Sequence, residues 1–265
     1  MLMDIDGIEI AYERRGTGPP LLLLTGLGGV GRAWGSHIER FADRYTTIVP
    51  DHRGTGASAK PKTGYTIEAL SADMAGLVRH CGLGPAHVVG SSTGGAIAQV
   101  MGLDHPDTVA SLTLVSSWAG PDPYLSNQFA VRRSVLLAQG VPAYTRCSSL
   151  FLFAPSFAAA NPDAVEAWID RASAHPGNTD IMSQRIDMIL DHDQRDRLAT
   201  ISVPTLVIVG DEDICTPPFA SRELADSIPG AHLEVLPGGH FIYLERPEPF
   251  AALVSSFLGS VIEEA

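Results

Sequence analysis

The chain has 265 residues, and its 18 lysines and arginines stand against 30 aspartates and glutamates, which gives a formal net charge of −12 at pH 7. This acidic balance argues against nucleic-acid binding and against attachment to an anionic membrane surface, because both need concentrated positive charge. With 45% hydrophobic and 18% charged residues, the sequence predicts a large buried core and excludes wholesale disorder.

The sequence lacks the usual signals of a disulfide-rich, secreted or membrane-spanning protein. Its three cysteines are far apart and have no C-x-x-C spacing, so they indicate neither a disulfide framework nor a zinc site. Asp4 and Asp6 stand where a signal peptide needs basic residues. The most apolar stretch, residues 21–24, is far shorter than the roughly 20 residues that cross a bilayer. We therefore expect a cytoplasmic protein with reduced thiols.

The first element predicted along the chain is an antiparallel hairpin whose turn is Asp6-Gly7. Short runs that are apolar throughout, as expected of parallel strands covered on both faces, follow at 21–25, 46–49, 87–90, 112–115 and 205–210. Helix-like stretches lie between them, notably at 66–81, 94–103 and 219–228. Strand followed by helix, repeated, predicts an α/β fold with right-handed crossovers.

The alternation of strand and helix stops between Ala119 and Thr200. This stretch has helical patterns at 164–172 and 181–190 but no convincing buried strand, and the strand pattern resumes at 202–210. We predict one core domain formed by 1–118 and 197–265, with 119–196 inserted as a helical cap or lid. The alternative is a helical extension with no role at the site.

The strongest chemical signal is a strand followed by G-x-S-x-G and then by a helix, within residues 87–98. Gly90 and Gly94 bracket Ser92, whereas Ser91 would need a glycine at the position of Val89. A serine on such a turn holds its hydroxyl above the sheet, and small neighbours let the strand and helix backbones pass closely. The pattern therefore predicts Ser92 as a nucleophile.

A serine hydroxyl needs a base to take its proton, and His240 is the best candidate. It follows the strand-like run 232–236 and a glycine-rich loop. The matching acid is expected after the strand at 205–210, where Asp213 is the first choice and Asp211 the fallback. Its carboxylate would fix the imidazole tautomer, although an acid at this position could instead cap the next helix.

The chain order Ser92, Asp213, His240 is the order found in the α/β-hydrolase family, and the chain resembles that family over essentially its whole length. The matching segments are 24–29, 51–58, 90–94, 210–213 and 239–240. Within the family the chain is similar to enol-lactone hydrolases, aminoacrylate hydrolases and methylesterases of polyketide pathways. The resemblance implies the α/β-hydrolase fold, a mostly parallel sheet with helices on both faces and a helical cap insertion.

The resemblance also implies an oxyanion hole made of the backbone amides of Leu27 and Thr93. Thr25-Gly26 stands where many members have His-Gly, and the backbone role of Leu27 survives that change. We expect a substrate pocket lined in part by the cap, with Gly26, Trp34, Trp118, Phe151, Phe153 and Phe241 as its candidate residues. Core burial is the alternative for the two tryptophans.

Other polar residues have weaker signals. The family motif Asp-x-Arg-Gly-x-Gly orders a loop, so a structural role is expected for His52 and Arg53. Asp191-His192-Asp193 resembles a metal cluster, but we interpret it as a helix end because no further ligands are visible. Four arginines of the insertion could each meet a substrate carboxylate, with a solvated face as the common alternative: Arg132, Arg133, Arg146 and Arg185.

These patterns predict a serine esterase or lactonase that works through an acyl-enzyme on a small molecule, with no cofactor and no metal. Enamine, amide or carbon–carbon hydrolysis on the same triad is an alternative. A cofactor-free oxygenase that relies on a His–Asp pair and a ligand receptor without turnover also stay open. Haloalkane dehalogenases and epoxide hydrolases are disfavoured, because they have an aspartate at the position of Ser92. A homo-oligomer is left open.

Overall fold

A single sheet runs through the computed structural model, which describes residues 1–174 and 177–264. Its strands are β1 (Leu2–Ile5), β2 (Ile8–Arg15), β3 (Pro20–Leu24), β4 (Thr46–Pro50), β5 (Ala86–Ser91), β6 (Val109–Val115), β7 (Thr205–Gly210) and β8 (His232–Leu236). Their order across the sheet is β1-β2-β4-β3-β5-β6-β7-β8. The pairs β1–β2 and β2–β4 are antiparallel, and the pairs from β4 to β8 are parallel. The mostly parallel sheet confirms the predicted fold class.

The hairpin at the start of the sheet has the predicted two-residue turn. Ile5 pairs with Ile8, and Asp6 (φ 52°) and Gly7 (φ 85°) both have positive φ values. Two positive φ values in succession are what a tight hairpin of this hand requires, and Asp and Gly are residues that tolerate them. The turn thereby sets the register of the antiparallel edge.

Helices connect the strands in chain order. They are α1 (His37–Ala42), α2 (Ile67–Cys81), α3 (Thr93–Asp104), α4 (Pro123–Leu152), α5 (Pro155–Ala160), α6 (Pro162–Ser173), α7 (Thr179–Asp191), α8 (Pro218–Ser227), α9 (Ile242–Glu245) and α10 (Pro247–Glu264). The expected helices at 66–81, 94–103 and 219–228 correspond to α2, α3 and α8. No helix is predicted over 242–264, where the structure has α9 and α10.

The core consists of two clusters, one on each face of the sheet. Leu22 and Leu24 of β3 face α2, α3 and α8, whereas Leu21 and Leu23 face α1 and α10. A strand that alternates between two covered faces must be apolar at every position, which explains the unbroken leucine run. The central strands are therefore buried on both sides, and the ends of the strands are where polar side chains can meet a ligand.

The helices α4 to α7 lie between β6 and β7 in the chain, within the segment that we predict to be the cap. The long helix α4 bends at Gly140, whose φ of 79° and ψ of −175° are not helical. The range 119–196 remains our prediction for the cap, and it includes residues 175 and 176, which lie outside the described residues. Among the helices that the structure describes, none is both long and apolar enough to cross a membrane.

Candidate active site

Ser92 lies on a strained turn between β5 and α3. Its φ of 54° and ψ of −117° fall in a region that non-glycine residues rarely adopt. A Cβ on Gly90 would lie 2.2 Å from the carbonyl oxygen of Gly94, and one on Gly94 would lie 2.3 Å from that of Leu24. Only glycines permit strand and helix to pass this closely, so the motif is sterically required here.

His240 lies directly beside Asp213 in a buried pair. The ring atom Nδ1 is 2.9 Å from Oδ2 and 3.1 Å from Oδ1 of Asp213, and both residues are at most 2% exposed. Burial alone would lower the pKa of His240, but the neighbouring carboxylate of Asp213 outweighs burial and raises the pKa above the ordinary value of a histidine. Asp211 instead accepts the Gly238 amide at 2.9 Å, so the structure brings Asp213, not Asp211, to the imidazole.

Thr216 completes the surroundings of this pair, and sequence reasoning missed it. Its hydroxyl oxygen is 3.1 Å from both Nδ1 of His240 and Oδ2 of Asp213, and 2.9 Å from the carbonyl oxygen of Ser116. The Thr216 and Cys215 amides also donate to Oδ1 of Asp213, at 2.9 and 2.8 Å. The carboxylate is therefore fixed by its own loop before it contacts the histidine.

Ser92 and His240 lie at the carboxyl edge of the same sheet, after strands β5 and β8. Within the described part of the chain, no hydrogen bond joins the Ser92 hydroxyl to the imidazole; Ser117 instead donates to the Ser92 carbonyl at 3.1 Å. Hydrogen bonds between catalytic groups often tighten only in a substrate complex. A hydrogen bond between Ser92 and His240 therefore stays a prediction for the substrate complex.

The loop after β3 passes next to Ser92. A Cβ on Gly26 would lie 3.3 Å from Cβ and 3.8 Å from Oγ of Ser92, so residue 26 lies beside the serine, and its place in a substrate pocket stays a prediction. The Gly29 amide donates to the Gly26 carbonyl at 2.9 Å and closes the turn. Leu27 lies in this turn and Thr93 is the first residue of α3, and the oxyanion hole formed by their two amides stays a prediction.

Arg185 of α7 holds this loop from the cap side. The residue is fully buried, and its guanidinium donates to the Leu27 carbonyl from Nη2 (2.8 Å) and Nε (3.1 Å). It also donates to the Arg53 carbonyl at 3.1 Å and lies 3.3 Å from Nδ1 of His52. Burial lowers the pKa of Arg185 to about 10, so the side chain stays charged at neutral pH. The sequence analysis considered a contact with a substrate carboxylate or a solvated face for Arg185. The structure shows neither: the side chain is a buried clamp that joins α7 to the loop of Leu27.

The loop of residues 51–58 has the structural role that its motif indicates. Asp51 accepts the amides of Gly31 (2.8 Å) and Ala57 (2.9 Å), which ties the loop after β4 to the loop after β3. Arg53 forms a two-pronged ion pair with Asp73 of α2, with both N–O distances at 2.6 Å. These bonds hold the segment that Arg185 contacts.

An aromatic cluster covers the His240 loop. Phe241 packs against Phe153 at a centroid distance of 5.4 Å and against Trp168 of α6 at the same distance. Its ring is 6.0 Å from that of His240. Phe153 and Phe241 therefore lie together near the histidine, and Trp168 is an additional member that the sequence patterns did not identify. The ring of Phe151 packs against the guanidinium of Arg132 instead, with the guanidinium carbon 5.7 Å from the ring centroid.

The two tryptophans occupy different environments. Trp34 is completely buried in the core beneath the sheet, with ring centroids 4.7 Å from Tyr243 and 6.2 Å from Phe250. This packing favours the core role for Trp34 over a place in the pocket. Trp118, three residues after the end of β6, is also buried, and its ring meets that of His192 edge-on at a centroid distance of 5.8 Å.

Glu245 joins the His240 loop to the cap. This buried carboxylate accepts the amide of Gly239 on one oxygen and the amide of Ala154 on the other, both at 2.9 Å. The Phe241 amide adds a bond to the Leu152 carbonyl at 2.9 Å. The cap is therefore attached to the histidine loop as well as to the loop of Leu27.

The acidic segment 191–193 does not form a metal site. His192 is buried against Trp118, and Asp193 pairs with Arg195 at 2.7 Å. Across residues 1–174 and 177–264, no group of three or more His, Cys, Asp or Glu residues could hold a metal ion. The helix α7 ends at Asp191 and His192 follows it as the C-cap, which is what the interpretation of the segment as a helix end predicts.

Comparison with known proteins relates the chain to one large family. Residues 19–247 match the model of the family described as alpha/beta hydrolase fold. The chain is 37% identical over 254 residues to RutD of Azorhizobium caulinodans, a proposed carbamate hydrolase, and the match covers 96% of each protein.

Two solved structures share the whole fold. The enol-lactonase from Burkholderia xenovorans LB400 superposes with a TM-score of 0.89 at 26% identity, over 98% of this chain and 100% of that one. A thermophilic esterase from Thermogutta terrifontis, solved with malate bound, superposes with a TM-score of 0.87 at 29% identity, over 98% of this chain and 97% of that one.

Proposed function

The chain belongs to the alpha/beta hydrolase family, and from this membership we propose that it is a serine hydrolase that cleaves a small ester or lactone. One observation supports this proposal more strongly than the others. Ser92 occupies the strained turn after β5, and His240, held by Asp213, lies at the same edge of the sheet. The proposed reaction uses these side chains, two backbone amides and water.

In the proposed first step, Ser92 attacks the substrate carbonyl while His240 takes the hydroxyl proton. The 2.9 Å contact between Nδ1 and Asp213 leaves Nε2 of the ring to receive this proton. Because the carboxylate raises the pKa of His240, it stabilises the imidazolium that forms at this moment. The imidazolium then protonates the leaving group.

Negative charge on the carbonyl oxygen is proposed to fall between the amides of Leu27 and Thr93. Thr93 is the first residue of α3, so the positive end of the helix dipole adds to its N–H. One donor of this kind contributes about 10²–10³ in kcat. Water then attacks the acyl-enzyme with His240 as its base, and Ser92 is released.

Cleavage of a carbon–nitrogen bond is the second candidate, and the identity of 37% to RutD favours it. The same groups would serve this reaction, since His240 can protonate a nitrogen leaving group as well as an oxygen one. The two reactions differ in the substrate bond, not in the roles of the residues.

Ser92→Ala tests the proposal with a panel of p-nitrophenyl acetate, a simple lactone and a phenyl carbamate. We expect wild-type turnover of at least one class, and a loss of roughly 10³-fold or more in the variant, because the nucleophile is removed. Ser91→Ala, in the same motif, is the matched control and should retain most activity. Activity of Ser92→Ala within tenfold of wild type, with an unchanged melting temperature, would overturn the assignment.

A further inference from the structure

Arg132 carries a buried positive charge that has no acidic partner among the described residues. It lies on the first half of α4 and is only 3% exposed. Its guanidinium donates to the hydroxyls of Ser148 (3.2 Å) and Tyr144 (3.1 Å), and Nη1 lies 3.7 Å from the sulfur of Cys215. None of these groups is a carboxylate, so the charge of Arg132 is not neutralised.

Aromatic rings form the rest of its surroundings. The central guanidinium carbon is 4.4 Å from the ring centroid of Phe129, 5.2 Å from that of Tyr144 and 5.7 Å from that of Phe151. Cation–π contacts offset only part of the cost of removing an ion from water. A buried cation in an aromatic cage favours an anion that enters the site and supplies the missing charge.

Arg132 also has hydrogen-bond donors in reserve. A guanidinium has five N–H groups, and the three contacts use one on each nitrogen. One N–H therefore remains on each terminal nitrogen, and such a pair can hold a carboxylate by two parallel hydrogen bonds. Arg185 differs, because its donors are directed at the carbonyls of Leu27 and Arg53.

The guanidinium is one side chain away from the proposed catalytic pair. Cys215, which faces Nη1, donates its amide to Asp213 at 2.8 Å, and Asp213 holds His240 at 2.9 Å. Gln128, one turn before Arg132 on α4, donates to the Cys215 carbonyl and joins this part of the cap to the acid loop. An anion bound to Arg132 would therefore lie next to the loop of Asp213, on the acid side of the proposed pair.

We propose that Arg132 is the carboxylate-binding residue of this site, and that the substrate is a small ester, lactone or carbon–nitrogen analogue that carries a carboxylate. This inference rests on the proposed function, because the carboxylate is placed relative to the proposed triad. An anionic substrate would be repelled by a chain whose net charge is −12, but a local positive charge at Arg132 can offset this repulsion at the site.

The test compares p-nitrophenyl hemisuccinate, which ends in a carboxylate, with the neutral p-nitrophenyl valerate of similar length. We expect wild-type kcat/KM to favour the hemisuccinate by about tenfold or more. Arg132→Met should lower kcat/KM for the hemisuccinate by roughly 30-fold and that for the valerate by less than about threefold. Arg132→Lys, which keeps the charge, should recover part of the preference.

Arg146→Met is the matched control, because Arg146 is an exposed cap arginine paired with Glu166 at 2.7 Å. It should leave the preference unchanged. A purely structural role for Arg132 would lower both activities equally, and that result would overturn the proposal. Wild-type protein without any preference for the hemisuccinate would also overturn it, even if the Met variant does not fold.

The same substrates separate this inference from the proposed function. If Ser92→Ala abolishes both activities and the wild type does not distinguish the two esters, the carboxylate site alone is wrong. If Ser92→Ala retains both activities, the serine mechanism fails. Competitive inhibition by succinate that disappears in Arg132→Met would support the site by a readout that does not depend on ester chemistry.

Discussion

Two aspartates follow β7, and their hydrogen bonds divide their roles at the histidine loop. Asp213 faces Nδ1 of His240, whereas Asp211 accepts the amide of Gly238 and so supports the backbone before the histidine. The amides of Cys215 and Thr216 fix the Asp213 carboxylate independently of the imidazole. This pre-organisation favours Asp213 as the residue that orients the base.

We expect Asp213→Asn to lower kcat by on the order of 10³–10⁴, because an amide can stabilise the wrong imidazole tautomer and cannot balance the imidazolium charge. Asp211→Asn is the matched control and should lower kcat by less than about tenfold, since it weakens one hydrogen bond to the backbone. Initial rates with p-nitrophenyl acetate measure both effects. The reverse ranking would transfer the catalytic role to Asp211.

The motifs predict which side chains carry the chemistry, but not which residues hold them. Ser92, Asp213 and His240 each follow a strand, so their meeting at one sheet edge can be anticipated from strand order. The clamp of Arg185 has no such signal, because α7 is distant in sequence from the loop that it contacts. Thr216 is similar: its hydroxyl looks like an ordinary loop group until the fold brings it to Nδ1.

At the level of elements, the buried strands and two helices of the insertion are predicted closely, since the helical patterns at 164–172 and 181–190 correspond to α6 and α7, whereas α4 and α5 are missed. β7 has the expected bounds of Thr205 and Gly210, and β5 extends beyond its predicted run at both ends. These strands are buried on both faces, so every residue contributes to the signal. The helix α4 gives no comparable pattern, because its direction changes at Gly140 and its apolar residues face different neighbours on either side.

The clamp between α7 and the loop after β3 also yields a prediction. Lysine in place of Arg185 keeps the charge but cannot reach the carbonyls of Leu27 and Arg53 together. We expect Arg185→Lys to lower kcat by about 10- to 100-fold with KM changed less than about threefold, because the Leu27 amide loses its alignment. Steady-state kinetics with p-nitrophenyl acetate would measure the effects on kcat and on KM separately.

Arg133→Lys is the control for this experiment. Arg133 is a cap arginine that bonds Asp187 and the Ser183 carbonyl, so it contacts α7 on either side of Arg185 but, in the described part of the chain, donates no hydrogen bond to the loop after β3. Its replacement should leave kcat nearly unchanged. If Arg185→Lys has wild-type kcat while the protein remains folded, the clamp does not position the oxyanion loop.

At the scale of the whole molecule, one buried histidine links stability to pH. Neither ring nitrogen of His192 has a hydrogen-bond partner in the described part of the chain, and burial lowers its pKa to about 4. An unfolded histidine has a pKa near 6.5, so the unfolded state binds more protons in the interval between. The stability that neutral His192 permits is present above about pH 6.5 and is lost as the pH falls toward 4.

We expect His192→Phe to reduce this acid sensitivity. For the wild type, the His192 contribution to the unfolding free energy should fall by about 2 kcal/mol between pH 7 and 5, and the phenylalanine variant should lack that part of the slope. Urea unfolding at the two pH values measures the difference. His80→Phe, at an exposed position of α2, should keep the wild-type slope. Equal slopes in all three proteins would contradict the assignment.

The carboxylate of Glu245 has a consequence for how relatives of this protein could be recombined. It bonds Ala154, 91 residues away in the sequence, and Gly239, next to the histidine. Because both donors are backbone amides, a chimaera keeps these bonds only if one parent supplies a carboxylate at 245 and the other places the backbone of 154 at the same distance from it. Residues 152–154 and 239–245 should therefore be taken from the same parent, although they are far apart in the sequence.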